Sequence, residues 1–317
     1  MDSELMIETR NLTKSFGDFK AVDGIDMAVK RGSIHGFVGP NGAGKTTTIK
    51  VLIGALRSNG GESFIMGHPA GSLDARRLIG YAPERCNFYN NMNAVDYLIY
   101  MALVCGVKKS DGRERGIQLL KWLDLEDFQW SKVGGFSAGM RQRLGLAQSL
   151  IHEPELLILD EPTANMDPTG RISILDKLRQ ICKERNVTIF LSSHILSELE
   201  QVADSLTLIN KGRIVGQGNI NDLRKRFSEN QFLLKTTDNA PVLDVLKSRE
   251  CVREGWIEDD FIHLSSDDGT ALKYAIAEAV NQSNAIIEHL SEERTSLQDI
   301  YRRTMVDEEG EEQSDVS

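Results

Sequence analysis

A glycine-rich segment near the N-terminus has the composition and spacing of a phosphate-binding loop. It reads Gly39-Pro40-Asn41-Gly42-Ala43-Gly44-Lys45-Thr46, which fits G-x-x-x-x-G-K-[ST] at every fixed position. Glycines let backbone N–H groups turn inward around phosphate oxygens, while the lysine can reach the β- and γ-phosphates and the hydroxyl can hold Mg²⁺. We therefore predict that this segment and Thr47 bind a nucleotide, with Lys45 also acting in catalysis and Thr46 as a metal ligand.

The elements on either side of this loop support that interpretation over a chance glycine-rich turn. The apolar run 34–38 before the loop is typical of a short strand. After the loop, Ile49, Leu52, Ile53 and Leu56 recur at the spacing of one buried helix face. A helix that begins at the end of the loop adds partial positive charge for the phosphates.

Two adjacent carboxylates follow a second apolar run. Leu156-Leu157-Ile158-Leu159 is typical of a strand buried on both faces, and Asp160 and Glu161 end it. A carboxylate at that strand end can meet a Mg²⁺ ion that Thr46 holds. We predict that Asp160 binds the metal and that Glu161 is the general base that deprotonates an attacking water. The alternative, a solvated acidic pair at the start of a loop, is disfavoured by the loop upstream.

A third segment gives the chain a family resemblance. Phe136-Ser137-Ala138-Gly139-Met140 lies between the phosphate loop and the carboxylates and precedes a helical pattern. It resembles the signature of the ATP-binding cassette (ABC) family, usually Leu-Ser-Gly-Gly-Gln, at its serine and second glycine. Ser137, Gly139 and the following helix N-terminus form an anion-binding surface. The resemblance implies that this surface, with Met140 in place of the usual glutamine, contacts ATP held by a partner subunit.

Other segments match the same family in the expected order. Ala164-Asn165-Met166-Asp167 resembles the D-loop, which crosses the dimer interface, and His194 matches the switch histidine that contacts the γ-phosphate. Phe16 matches the aromatic residue that stacks on adenine; the alternatives are that nearby Phe19 has this role or that Phe16 is a core aromatic residue. Glu84 stands in Tyr81-Ala82-Pro83-Glu84 where the family often has a glutamine that touches Mg²⁺, so the resemblance implies a metal contact there.

Composition and charge limit the class of protein. The chain has 317 residues, 40% hydrophobic and 26% charged, as in a globular protein with a substantial core. No apolar run approaches the roughly 20 residues of a membrane-spanning helix, and the acidic start Met1–Glu4 does not predict a signal peptide. The four cysteines are scattered, which suits a reducing compartment. The net charge of −10 argues against binding to nucleic acid.

The pattern along the chain predicts an α/β domain followed by a small α+β domain. Residues 1–228 read as alternating strands and helices, the pattern of a parallel sheet, with a mostly helical subdomain at about 85–150. Asn210-Lys211-Gly212-Arg213 predicts a hairpin turn. Residues 229–306 follow a βαββαβ order that ends in a helix over 296–305, which is typical of a ferredoxin-like domain. Residues 307–317 form an acidic tail that we predict to be disordered.

The resemblance implies a P-loop NTPase fold of the ABC type and a transport function. The expected protein binds ATP and Mg²⁺, pairs head to tail with a second copy of itself, and drives a separate transmembrane permease subunit from the cytoplasmic face of the membrane. The segment 86–95 is expected to receive the permease. The residues of these motifs, and those of Ser296–Tyr301, resemble the drug- and antibiotic-exporter branch of the family, which is of ABC-2 type.

The sequence disfavours two alternatives to transport. A cassette acting on ribosomes or nucleic acid usually has two cassettes in one chain or long coiled coils, and this chain has one phosphate loop and no sustained heptads between Lys45 and Ser137. A GTP switch would need Asp where Arg213 stands in the near-match to Asn-Lys-x-Asp. The acidic balance also disfavours nucleic acid, and we reject the GTP switch.

Overall fold

The chain divides into two units, residues 1–220 and residues 221–317, and each has its own apolar core. The structure is a computed structural model that describes residues 4–164, 166–220, 222–223, 230–266 and 268–293. The predicted helix over 296–305, the acidic tail 307–317 and the predicted boundary at residue 228 lie outside the described residues.

The first unit opens with antiparallel strands that the sequence pattern did not predict. Strands β1 (Leu5–Phe16) and β2 (Phe19–Lys30) pair with each other. Strand β1 also pairs with β4 (Gly60–Ile65), and β4 pairs in turn with the short strand β5 (His68–Pro69). The unit therefore contains an antiparallel sheet in addition to the predicted parallel one. Buried and exposed residues nearly alternate along the second half of β2, because one face of the strand packs on the core. This alternation is the pattern of a half-buried antiparallel strand.

The strands that carry the chemistry are neighbours in a second sheet. Its order is β10-β9-β3-β8-β7-β6. Neighbouring strands are parallel, except that β9 and β10 form an antiparallel hairpin. The strands β3, β7 and β8 are buried along their whole length, as the apolar run Leu156–Leu159 predicts for β7. The bounds are β3 (Ile34–Val38), β6 (Ile79–Ala82), β7 (Leu156–Asp160), β8 (Thr188–Ser193), β9 (Ser205–Asn210) and β10 (Arg213–Asn219).

Helices connect the strands, and the stretch predicted to be mostly helical, about 85–150, contains three α-helices, the first of which begins at Ala94. Short 3₁₀ turns cover Glu126–Phe128 and Val133–Gly135. No helix among the described residues is both long enough and apolar enough to cross a membrane. The helices are α1 (Lys45–Leu52), α2 (Leu73–Leu78), α3 (Ala94–Val104), α4 (Lys109–Trp122), α5 (Ala138–Leu150), α6 (Pro168–Arg185) and α7 (Leu196–Val202).

Two local predictions in this unit have different outcomes. The helix α1 is shorter than predicted, since it ends at Leu52, and Gly54 then takes a left-handed φ of 73° that a helix cannot continue. Ile53 and Leu56 therefore lie beyond the helix rather than on its buried face. The predicted hairpin is confirmed: β9 and β10 are joined through Lys211 and Gly212, whose φ values of 42° and 83° suit a tight turn between antiparallel strands.

The second unit has the predicted βαββαβ order. Its sheet runs β12-β13-β11-β14 with every pair antiparallel, which is the strand order of a ferredoxin-like domain. Apolar residues of both helices, such as Leu246 and Ile276, pack with Phe232, Leu234 and Leu264 of the sheet. The elements are β11 (Asn230–Thr236), α8 (Asn239–Lys247), β12 (Glu254–Glu258), β13 (Phe261–Ser266), α9 (Gly269–Gln282) and β14 (Ile287–Glu293).

Candidate functional site

The phosphate loop connects β3 to α1, and its backbone needs glycine. Gly44 has φ 106°, and a Cβ there would lie 2.4 Å from the carbonyl oxygen of Ala21, so a side chain would collide with the backbone of β2. The Lys45 Nζ donates to the carbonyl oxygens of Gly39 at 2.7 Å and of Pro40 at 3.2 Å. The lysine therefore spans its own loop and places its charge at the N-terminus of α1.

A cleft of about 360 Å³ opens beside this loop. It brings together most of the predicted nucleotide-binding residues of the loop and both candidate aromatic rings. Three predicted catalytic or metal-binding residues from outside the loop, Glu84, Glu161 and His194, also line it. Gly39 and Ala43 do not line it: the Gly39 carbonyl accepts a bond from the Lys45 Nζ, and the Ala43 carbonyl accepts a bond of 3.0 Å from the Gly212 N–H. The cleft is lined by Phe16, Phe19, Ala21, Pro40, Asn41, Gly42, Gly44, Lys45, Thr46, Thr47, Glu84, Glu161, Ala164 and His194.

Both candidate aromatic residues face the cleft. Phe16 ends β1 and Phe19 begins β2, and their side chains are 50% and 64% exposed. An exposed ring beside a phosphate loop can stack on a planar base. The Lys14 Nζ lies 5.1 Å from the Phe16 ring centroid, so that ring already has a cationic neighbour. The stacking role of Phe16 stays a prediction, with Phe19 as its alternative.

Three predicted catalytic side chains form one cluster. The Glu161 carboxylate lies 2.9 Å from the His194 Nδ1 through one oxygen and 3.5 Å from the Lys45 Nζ through the other. The Lys45 and Glu161 side chains are only 7% and 11% exposed, so this ion pair is weakly screened by water. Glu161 adopts a left-handed φ of 51°, which is unusual for a residue with a side chain and typical of functional sites. The lining of the cleft thus includes a carboxylate that contacts both a cation and an imidazole.

A serine that the sequence analysis did not single out positions both carboxylates. Ser192 on β8 lies opposite Asp160 on β7, and its Oγ donates to the Asp160 carboxylate at 2.6 Å. The Glu161 N–H in turn donates to the same Oγ at 3.1 Å. The Asp160 carboxylate also acts on Tyr81, which lies on the neighbouring strand β6. Burial is the larger cause and the negative charge of Asp160 the smaller one, and together they raise the pKa of Tyr81 to about 12. The sequence signal for Ser192 was the serine pair that ends the apolar run before His194.

The oxygen ligands near the loop suit a Mg²⁺ ion that is held only partly by protein. Thr46 and Glu84 line the cleft, and Asp160 lies at the end of β7 with 2% of its surface exposed. No group of three or more His, Cys, Asp or Glu side chains in the described part of the chain could hold a metal. Mg²⁺ characteristically uses one or two carboxylates and takes its other ligands from water and phosphate. The residues therefore fit this ion, with Thr46, Asp160 and Glu84 as its predicted contacts.

The signature-like residues lie in a different cleft. Ser137 caps the N-terminus of α5, where its Oγ accepts a bond of 3.3 Å from the Met140 N–H. The structure does not bring these residues to the phosphate loop within one chain. This second cleft, which we call the signature cleft, is lined by Ser137, Ala138, Gly139, Met140, Arg143, Met166, Asp167 and Gly170.

Comparison with known proteins decides the family. A family model described as ABC transporter matches residues 22–164, and one described as the C-terminal domain of DrrA1-3-like ATP-binding proteins matches residues 218–305. The bacitracin transport ATP-binding protein BcrA of Bacillus licheniformis is 40% identical over 241 residues, which are 75% of this chain and 78% of BcrA. This chain belongs to the ABC transporter family. It is an ATP-binding subunit of a transporter, and as an ABC ATPase it hydrolyses ATP to power transport.

Further comparisons agree with the cassette fold. The daunorubicin/doxorubicin resistance ATP-binding protein DrrA of Streptomyces peucetius is 34% identical over 234 residues, or 73% of this chain and 71% of DrrA. A solved ATP-binding subunit of an ABC transporter is 29% identical, with a TM-score of 0.65 over 70% of this chain and 93% of that one. A cassette solved as a dimer with ADP and Pi is 21% identical and shares the fold, with a TM-score of 0.63 over 68% and 99%. The predicted family and fold are thereby confirmed.

Proposed function

We propose that two copies of this cassette bind two ATP molecules between them, each copy supplying the phosphate loop of one site and the signature cleft of the other. The observation that carries this proposal is the separation of the two clefts in one chain. One cleft has the charged cluster of Lys45, Glu161 and His194, and the other presents Ser137 and the backbone N–H groups of α5. The helix N-terminus is suited to a phosphate that only a second chain can bring to it.

In this arrangement each side chain has one task. The Lys45 Nζ binds phosphate oxygens at the loop, and Glu161 accepts a proton from the attacking water as general base. His194 orients that carboxylate through its Nδ1. Mg²⁺, when bound through Thr46 and Asp160 with Glu84 nearby, supplies positive charge that offsets the charge of the phosphates.

The transport partner is a separate permease, and the cassette lies on the cytoplasmic face of the membrane through it. Tyr89, in the segment predicted to receive the permease, is 58% exposed, and its ring contacts that of Tyr100 on α3. Leu103 and Val104, at the end of the same helix, are also exposed. The names of BcrA and DrrA support export of a drug or antibiotic as the transported class. No observation favours the nucleic-acid alternative.

Sedimentation velocity of full-length Glu161→Gln tests this proposal. The substitution removes the base while keeping the size of the side chain, so bound ATP persists. We expect the variant to be monomeric without nucleotide and dimeric with MgATP, and to contain two ATP per dimer. A variant that binds one ATP per chain and remains monomeric at every protein concentration would contradict the proposal.

A further inference from the structure

A buried carboxylate four residues after His194 lies outside the predicted catalytic cluster. Glu198 is on α7 and is 8% exposed. One of its oxygens accepts a bond of 2.6 Å from the Thr163 Oγ1, and the other accepts a bond of 3.1 Å from the Arg171 Nη1. The Arg171 cation compensates this buried charge and the Thr163 hydroxyl satisfies the second oxygen, so the carboxylate and its two partners hold one another in place.

The hydroxyl partner connects Glu198 to the catalytic side. Thr163 is 3% exposed and lies two residues after Glu161. The next residue, Ala164, lines the phosphate-loop cleft, and its N–H donates to the Glu161 carbonyl oxygen at 3.1 Å. The turn that begins at the general base is therefore tied to α7, the helix that follows His194.

The cationic partner connects Glu198 to the signature cleft. The Arg171 Nε donates to the Met166 carbonyl oxygen at 3.0 Å, and its backbone N–H donates to the Asp167 carbonyl oxygen at 3.0 Å. Asp167 in turn caps α6 by accepting from the Gly170 N–H at 2.7 Å. Met166, Asp167 and Gly170 all line the signature cleft. One carboxylate thus joins the wall of one cleft to the wall of the other.

We propose that Glu198 is a positioning residue that couples the two clefts of a protomer. It holds Met166 and Asp167, through Arg171, in the arrangement that receives the partner's ATP, and it fixes that arrangement relative to the turn after Glu161. Glu198 touches neither ATP nor the attacking water. The inference rests on the proposed sandwich dimer, and it assigns the regulation of dimer closure to a contact inside each chain.

The test measures dimerisation and ATP binding separately in the full-length Glu161→Gln background. Adding Glu198→Gln removes the charge at equal size, and we expect it to raise the dissociation constant of the MgATP dimer about tenfold, a size typical of coupling residues. ATP affinity of the dilute monomer, followed by fluorescent nucleotide titration, should stay within about twofold because the phosphate loop is untouched. Asp176→Asn, the same chemical change at an exposed position on α6, is the matched control and should alter neither quantity.

Arg171→Gln removes the same ion pair from its more exposed end, so it serves if Glu198→Gln fails to fold. It should weaken the dimer at least as much, because it also removes the Nε bond to the Met166 carbonyl oxygen. The double variant should be no weaker than Arg171→Gln alone, since both substitutions break the same ion pair. An unchanged dimer constant, an equal loss of monomer ATP affinity, or multiplying losses in the double variant would each overturn the coupling role. If the Glu161→Gln parent itself does not dimerise, the proposed function fails and this inference falls with it.

Discussion

Replacing Lys45 by alanine is the sharpest test of the phosphate-loop assignment. In the structure the Lys45 Nζ contacts two loop carbonyls, at 2.7 and 3.2 Å, and lies 3.5 Å from Glu161. When ATP binds, this ammonium makes charge-assisted hydrogen bonds to the phosphates, each worth about 1.5–3 kcal/mol. Losing two at the lower value removes about 3 kcal/mol, or about a hundredfold in affinity. The uncompensated charge of Glu161 then repels the phosphates, so a hundredfold is a lower bound.

Isothermal titration calorimetry with ATP, at fixed salt and with Mg²⁺ present, measures this loss. The matched control is Lys50→Ala, which removes a lysine from the exposed side of the same helix and should change the dissociation constant by less than about twofold. Thermal unfolding of both variants separates local loss of binding from loss of fold, since two loop carbonyls lose their donor in Lys45→Ala. A dissociation constant for Lys45→Ala within threefold of the unsubstituted protein would show that the phosphates bind elsewhere.

Three further predictions concern other parts of the site and core. Glu161→Gln should lower kcat at least about a hundredfold at unchanged ATP affinity, and phosphate release at the original rate would remove Glu161 from the role of base. Phe16→Ala should weaken ATP binding fivefold or more and Phe19→Ala less than twofold; the opposite order would give the stacking role to Phe19. Burial lowers the pKa of His35 from 6.5 to about 3. Below pH 6.5, His35 therefore binds a proton in the unfolded chain but stays neutral in the folded chain. Stability is therefore lost as pH falls, by about 2 kcal/mol between pH 7.5 and pH 5 in urea unfolding, and an equal slope in His35→Gln would contradict this.

The local parts of the site could be predicted from sequence because their chemistry depends on short spacings. The phosphate loop sets its own conformation, and Asp160 and Glu161 follow a run that is apolar at every position, which indicates a strand buried on both faces. Parallel strands bring their carboxyl ends to one edge of a sheet, so His194 could be expected near Glu161. The two side chains are in fact 2.9 Å apart.

The remaining features depend on contacts between residues far apart in the chain. The strands β1 and β2 are only partly buried, so polar positions interrupt their apolar pattern and hide them from a search for continuous runs. Glu198 and Ser192 have no motif of their own, and their importance comes from partners 35 and 32 residues away. The separation of the signature cleft from the phosphate loop likewise follows from the packing of α5, which spacing along the chain does not determine.

Cross-linking between two chains tests most directly whether each ATP is held by both protomers. In the Glu161→Gln background, with Cys86, Cys105, Cys182 and Cys251 replaced, one preparation carries Asn41→Cys and a second carries Ser137→Cys. Mixed with MgATP and a short bifunctional maleimide, the two should give a product of twice the chain mass that is absent without nucleotide and absent from either preparation alone. ATP bound by both preparations with no such product would contradict the shared site.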